Sequence, residues 1–112
     1  MNDQFEKLIK VKNGKSFILD FVDLNLSIEQ QLDNLREDMG WISYNDDEFV
    51  IDFGWTPSFD INGSFNIYVI KESDWDNPLI KKKCKDCSKL VDLLQECIEN
   101  IENLIIGGDR KS

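Results

Sequence analysis

The stretch Glu48-Phe-Val-Ile-Asp-Phe53 carries a large apolar residue at every second position. This period of two is typical of a strand that buries one face. Further along the chain, Asn62-Gly63 favours a two-residue hairpin turn, because both of its residues tolerate positive φ. The centre of the chain therefore predicts an antiparallel meander. Its predicted strands are residues 41–45, 48–53, 59–61 and 64–71, with residues 54–58 as a loop.

The N-terminal region carries a second hairpin signal. Asn13-Gly14 lies between two stretches, residues 8–12 and residues 15–23, that are predicted as its strands. A short helix over residues 3–10 is the competing interpretation, because the apolar residues of that segment also fit helical spacing. The choice between strand and helix stays open for residues 3–10.

A first helix is predicted directly before the meander. It begins at Ser27-Ile-Glu-Gln30, a capping box in which the Ser and Gln side chains can bind backbone amides reciprocally. Apolar residues then follow at helical spacing, and Gly40 ends the helix as its C′ residue. The apolar residues of this predicted helix are Ile28, Leu32, Leu35 and Met39.

A second and longer helix is predicted at the C-terminus. Asn77 and Pro78 suit its N-cap and first position, and Gly107-Gly108 ends it. Its apolar residues follow one another by four and three positions alternately, which gives one continuous seam. The lysines between residues 81 and 89 are expected to face solvent. The predicted seam is Ile80, Cys84, Cys87, Val91, Leu94, Ile98, Ile101 and Ile105.

These elements predict an α+β fold: a mostly antiparallel sheet of about five strands with two helices, the long C-terminal helix packing on one sheet face. The 112 residues give room for a single domain, residues 1–112, with one core. A hydrophobic content of 41% is too high for a disordered chain. The sequence has no run of about 20 apolar residues and no signal peptide, so we expect a cytoplasmic protein that does not enter a membrane.

The charge of the chain is concentrated in its middle. Fourteen acidic residues lie between residues 20 and 76, where only Arg36 and Lys71 are basic, and the flanking segments are slightly positive. The middle also contains all three tryptophans, so it resembles a structured face more than a solubilising tail. An acidic face attracts cationic surfaces and repels phosphates. The predicted partner is therefore a protein with a basic surface and not a nucleic acid.

Catalytic and metal chemistry have few candidates. The chain has no histidine, the commonest general base and metal ligand, so we expect a protein that is not an enzyme and needs no cofactor or metal. Its three cysteines are an odd number within residues 84–97, and we expect reduced thiols that fill the helical seam. Cys84-Lys-Asp-Cys87 has the spacing of a redox or metal motif, but one pair without histidine is a weak signal.

Residues 45–60 are the strongest candidate for a binding face, because five carboxylates lie there among aromatic residues. Such a combination suits a surface rich in arginine and lysine. Phe49 and Phe53 are expected in the core, whereas Trp55 fits either the core or the interface. Trp75, between two aspartates, fits either the interface or a lid over the sheet. The predicted partner-binding residues are Asp46, Asp47, Glu48, Asp52, Trp55, Phe59, Asp60, Asp74, Trp75 and Asp76.

In overall character the chain resembles the immunity proteins that protect bacteria from contact-dependent growth inhibition and related polymorphic toxins. The resemblance rests on stretches such as Asn45-Asp-Asp-Glu-Phe-Val-Ile-Asp52 and Gly54-Trp-Thr-Pro-Ser-Phe-Asp60. It implies tight binding to one cognate toxin domain, often a basic nuclease, whose active site is covered. It transfers no role to an individual residue.

Two other functions stay open at this point. An acidic chain can imitate nucleic acid and so inhibit a nuclease. Cys84, Cys87 and Cys97 could instead serve a small redox or metal protein. The identity of the toxin and the oligomeric state, monomer or homodimer, are also open.

Overall fold

The computed structural model describes residue 11, residues 14–18 and residues 25–111, with the backbone alone for residues 17, 18 and 106–111. Within this part of the chain, five antiparallel strands form one sheet in the order β1-β2-β3-β4-β5. A long C-terminal helix accompanies them, so the predicted α+β fold class is confirmed. The elements are β1 (Lys15–Ile18), a 3₁₀ helix (Glu29–Asn34), β2 (Gly40–Tyr44), β3 (Phe49–Thr56), β4 (Ser64–Lys71), β5 (Ile80–Cys84) and α1 (Cys87–Lys111).

The core lies between one face of the sheet and α1. Phe49, Ile51 and Phe53 alternate along β3 toward this face and are buried, as the sequence predicts. Burying a side chain of this size contributes about 1.5–3 kcal/mol, so the alternating strand faces hold much of the stability. The predicted helical seam is confirmed from Cys87 onward. Its buried members are Cys87, Val91, Leu94, Ile98 and Ile101, and Ile105 packs against them half-buried.

The predicted start and end of the long helix are wrong. Residues 80–84 form β5, which pairs with β4, and α1 begins only at Cys87. Asp86 caps the helix, because its Oδ1 accepts a hydrogen bond from the backbone N–H of Ser88 at 3.3 Å. Positions four residues apart share a face in a strand as well as in a helix, so the spacing did not distinguish the two. At the other end the helical backbone passes through Gly107-Gly108 to residue 111.

The helix predicted over residues 27–39 is also too long. Its capping box is confirmed, since the N–H of Ser27 donates to Gln30 Oε1 at 2.9 Å and the N–H of Gln30 donates to Ser27 Oγ at 3.2 Å. The box begins only the six-residue 3₁₀ helix, and Leu35 is already extended. Gly40, the predicted helix end, is the first residue of β2.

The connection between β3 and β4 differs from the prediction. β3 continues to Thr56, so residues 54–56 belong to a strand and not to a loop. Phe59 takes a positive φ of 63°, and residues 59–61 form a turn instead of the predicted strand. The Asn62-Gly63 dipeptide lies in this connection, but neither residue has the positive φ of a type I′ turn.

The N-terminal hairpin is described only in part. Lys15–Ile18 forms β1, as predicted, and pairs with β2. Asn13, residues 19–23 and the segment for which strand and helix compete lie outside the described residues.

Two buried polar contacts join elements that are distant in sequence. Gln31 of the 3₁₀ helix is buried, and its Nε2 donates to Cys87 Sγ at the start of α1, at 3.6 Å. Tyr44 at the end of β2 donates its hydroxyl to the buried carboxylate of Glu102 at 3.1 Å. Burial, and then the neighbouring Glu102, raises the pKa of Tyr44. Both contacts hold α1 in place against the sheet.

A close backbone approach explains why the chain leaves the helix after Asn34. Residues 36–39 run beside β3, where the N–H of Trp55 donates to Arg36 O at 2.6 Å. Gly54 lies against this segment, and a Cβ atom on it would come within 1.7 Å of Glu37 O. Its φ is not positive, so what requires glycine here is space.

We expect Gly54→Ala to lower the free energy of unfolding by about 3 kcal/mol or more, because residues 36–39 must move away from β3. Urea unfolding of the variant measures this loss. Thr56→Ala is the matched control: it changes an exposed side chain on the same strand and should stay within about 0.5 kcal/mol of the wild type. Equal stability of the two variants would contradict the close approach.

Candidate functional site

The sheet face opposite α1 carries a row of side chains that crosses four strands. Trp41 of β2 pairs with Asp52 of β3, Asp52 with Tyr68 of β4, and Tyr68 with Lys81 of β5. Directly paired residues point to the same side of a sheet, with Cβ atoms about 4.5–5.5 Å apart. The row therefore places one carboxylate between two aromatic rings on what we call the outer face.

The loop of residues 72–78 folds back over this face. Glu72 and Ser73 turn the chain with positive φ values of 53° and 62°. The N–H of Glu72 donates to Glu48 O at 2.8 Å, which fixes the start of the loop beside the β2–β3 turn. Ile70 points to the outer face and is only 1% exposed, because this loop covers it.

Two adjoining cavities, of about 330 Å³ and about 520 Å³, lie between the loop and the sheet. They share Asp52, Ile70 and Trp75, and we call them together the outer-face groove. Trp41 is 37% exposed and Trp75 is 54% exposed, so indole surface is accessible there. The first cavity is lined by Trp41, Asp47, Val50, Asp52, Ile70, Ser73 and Trp75. The second is lined by Glu37, Asp38, Asp52, Thr56, Tyr68, Ile70, Trp75, Asp76, Pro78 and Lys81.

The charge of the outer-face groove is strongly negative. Five carboxylates line it, and Lys81 is the single cation among its described lining residues, so the local formal charge is −4. A concave site with one sign of charge focuses its field and concentrates ions of the opposite sign. The five carboxylates are those of Glu37, Asp38, Asp47, Asp52 and Asp76.

Asp52 has the most unusual environment of these carboxylates. Burial, and to a lesser degree the nearby charge of Asp38, raises the pKa of Asp52 from 3.8 to about 6. Within the described part of the chain, no group donates a hydrogen bond to it. Asp52 is therefore ionised at neutral pH at a cost to the fold, and a ligand that brings positive charge and N–H donors would remove that cost.

The β2–β3 turn places two further carboxylates at the end of the outer face. Asn45, Asp46 and Asp47 all take positive φ, between 52° and 71°, a conformation that Asn and Asp adopt more readily than most residues. Asp47 Oδ1 accepts a hydrogen bond from Ser43 Oγ, which orients that carboxylate. Asp46 and Asp47 thus lie in the turn between the two strands, where the predicted strand bounds leave them.

The structure brings most of the predicted binding residues together on or beside the outer face. Asp46 lies beside the groove, in a neighbouring cavity that shares two lining residues with it. Asp74 is exposed in the covering loop, where its Oδ1 accepts a hydrogen bond from Asn77 Nδ2 at 3.4 Å. Four of the predicted residues line the groove itself: Asp47, Asp52, Trp75 and Asp76.

Three predicted residues lie elsewhere, and their assignment to the same face is corrected. Glu48 lines a different cavity, which includes Leu104 of α1. Phe59 and Asp60 belong to the turn after β3 and line neither cavity of the groove. The eight residues of β3, at about 3.3 Å per residue, place them roughly 23 Å from the β2–β3 turn that carries Asp46 and Asp47.

Trp55 belongs to the core, so its assignment to the binding face is wrong. Its side chain is 1% exposed and meets the ring of Phe65 edge-on, with ring centroids 4.9 Å apart. Its Nε1 donates to Asp60 O at 2.8 Å. The alternation of Phe49, Ile51 and Phe53 simply continues to Trp55, and this signal was present in the sequence.

The groove also contains acidic and aromatic residues that are not among the predicted binding residues: Trp41, Glu37, Asp38 and Tyr68. Trp41 and Tyr68 could have been found from strand pairing, since both alternate to the face that carries Asp52. Glu37 and Asp38 could not, because they were assigned to a helix that ends earlier.

The two cysteines of the Cys84-Lys-Asp-Cys87 motif lie in different elements. Cys84 ends β5 and Cys87 begins α1, so only Cys87 belongs to the helical seam. Burial raises the pKa of Cys84 and of Cys97, which lowers the thiolate fraction that redox chemistry needs. Among the described residues, no group of three or more His, Cys, Asp or Glu could hold a metal ion.

No helix in the described part of the chain is long and apolar enough to cross a membrane. Comparison with protein-family models, with curated proteins and with solved structures found no match. The proposed function therefore depends on the geometry and charge of the groove.

We expect Asp52→Asn to stabilise the protein at pH 7.5 but hardly at all at pH 4.5. The folded-state pKa of Asp52 lies above its unfolded value, so ionisation destabilises the fold increasingly as the pH rises from about 4 to above 6. Screening by solvent at this partly exposed side chain limits the gain to about 1–2 kcal/mol. Urea unfolding at both pH values measures it.

Asp92→Asn removes an exposed carboxylate from α1 and is the control, with no pH-dependent gain expected. A gain for Asp52→Asn that is equal at both pH values would show that the charge of Asp52 is not responsible.

Proposed function

We propose that this chain is a toxin-immunity protein. It binds a cognate toxin domain with a basic surface, of the nuclease type, and neutralises it by covering the active site, without catalysis of its own. The observation that carries this proposal is the outer-face groove, where a sheet face not covered by α1 presents two accessible tryptophans among five carboxylates. We place the complex in the cytoplasm, where such a toxin would act.

Electrostatics supports a cationic protein as the partner. A nuclease active site must bind phosphates and is therefore positive, and the carboxylates of the groove can occupy the positions of those phosphates. The formal charge of −4 in the groove repels nucleic acid itself. Asp46 and Asp74 lie at its edge, where they extend the negative surface.

The aromatic residues provide the contact that keeps the complex together. Interfaces depend on a few large side chains that become fully buried on binding, with tryptophan prominent among them. Trp55 cannot take this role, because it is in the core. Trp75 can, since it is 54% exposed and borders both cavities. Trp41 faces the same cavity from β2.

The charge of the groove is tested by a triple variant, Asp47→Asn with Asp52→Asn and Asp76→Asn. Asparagine keeps the tolerance for positive φ at residue 47, so the turn and the fold should be retained. We expect association with the toxin domain to slow at least about tenfold at low salt, and its salt dependence to weaken. Stopped-flow kinetics at two salt concentrations measures both.

The matched control removes three charges elsewhere: Glu29→Gln, Asp33→Asn and Asp92→Asn, all exposed on the helices. If both triple variants slow association equally, net charge alone matters and the groove is not the binding site.

The anchor is tested by Trp75→Ala, which we expect to weaken binding by at least about 2 kcal/mol, mainly through faster dissociation. Phe59→Ala is the control, because Phe59 is 52% exposed, almost as much as Trp75, but lines neither cavity of the groove. It should leave the affinity unchanged. The opposite result, with Phe59 important and Trp75 not, would place the interface at the turn after β3.

The partner itself can be identified by co-purification with the product of the neighbouring gene. A stoichiometric complex with a basic protein, and loss of its toxicity on addition of this chain, are the expected results. An acidic partner, or toxicity that remains in the complex, would contradict the proposed function.

A further inference from the structure

We propose that the part of the outer-face groove between Trp41 and Trp75 is a receptor for one arginine side chain of the partner, with Asp52 as its counter-charge. This inference rests on the proposed function and specifies its central contact.

The geometry suits a single long side chain. Trp41 and Tyr68 flank Asp52 from the two neighbouring strands, and Trp75 reaches the same cavity from the covering loop. The cavity of about 330 Å³ is at the lower end of the usual range for ligand sites, about 300–1,000 Å³. The carboxylate of Asp52 and the indole rings of Trp41 and Trp75 are among the groups that line it.

The chemistry of these walls selects guanidinium over ammonium. A guanidinium group is planar and weakly hydrated, so it can stack on indole while its N–H groups bind carboxylates. Asp52 receives no hydrogen bond within the described part of the chain, and Asp47 lines the same cavity as a second acceptor. The lysine ammonium is a compact and strongly hydrated charge, and it would lose more hydration on entering the cavity.

The lysine that belongs to the groove does not occupy this position. Lys81 lies beyond Tyr68 in the cross-strand row, two strands from Asp52, which is about 10 Å. It forms no ion pair with the carboxylates of the described residues. The negative charge around Asp52 thus stays available for a cation from outside.

The three tryptophans allow a direct test by NMR of their indole N–H signals. The protein is titrated with acetyl-arginine amide, acetyl-lysine amide and acetyl-citrulline amide, the last a neutral analogue of arginine. We expect arginine to shift the signals of Trp41 and Trp75, lysine to bind at least threefold more weakly, and citrulline to leave both signals in place. Trp55 is an internal control, because its buried Nε1 is bound to Asp60 O and should not shift.

Variants show which residues are responsible for arginine binding. Asp52→Asn should weaken arginine binding about tenfold or more, and Trp75→Leu at least about threefold. Asp92→Asn, on α1, should bind like the wild type. An unchanged Trp55 signal in each variant shows that the core is intact.

Absence of an arginine-specific shift, equal binding of citrulline, or unchanged affinity of Asp52→Asn would each overturn the arginine receptor. If the toxin domain still binds and still depends on the groove carboxylates, the proposed function stands although the receptor fails. If arginine binds as expected but no basic toxin is recognised, the receptor stands and the proposed function fails.

Discussion

One helix can cover only one face of a five-stranded sheet, and the rest of this molecule follows from that limit. The alternating residues of β3 bury Phe49, Ile51, Phe53 and Trp55 beneath α1. The opposite residues of the same strand must then meet solvent, a loop or another molecule. Residues 72–78 cover part of this second face and leave a groove instead of a second core. The candidate site is thus the face that no helix of the described residues covers.

The elements that could be predicted are those with a local signal. The strand at residues 64–71 follows from its apolar content, and the seam of α1 from Cys87 onward follows its spacing. The errors occurred where backbone pairing between distant segments decides the structure. Residues 80–84 become a strand because β4 offers them a partner, and residues 36–39 leave the helix because β3 does. Leu35 and Met39 are nevertheless buried, so their apolar character was a better guide to burial than to conformation.

In the candidate site, too, local sequence signals predicted some residues, whereas strand pairing brought in the others. Asp47, Asp52, Trp75 and Asp76 were found from composition, since acids and aromatic residues are concentrated near them. Trp41 joins them only through the register of β2 on β3, which the sequence does not state directly. Asp60 and Phe59 come from a stretch of similar composition but lie in the turn after β3 and line neither cavity. The amino-acid composition of the region indicated the chemistry of the candidate site, whereas the pairing of the strands decided which residues line it.

The edge strand β5 has a further consequence, for the behaviour of the isolated chain at high concentration. β5 lies at the end of the sheet order, and three of its five residues are lysines. An exposed strand edge can recruit other chains by backbone pairing, and lysine side chains oppose this, because two such edges brought together would repel each other. The lysines of β5 therefore oppose fibrous self-association, a hazard that an open antiparallel sheet would otherwise carry.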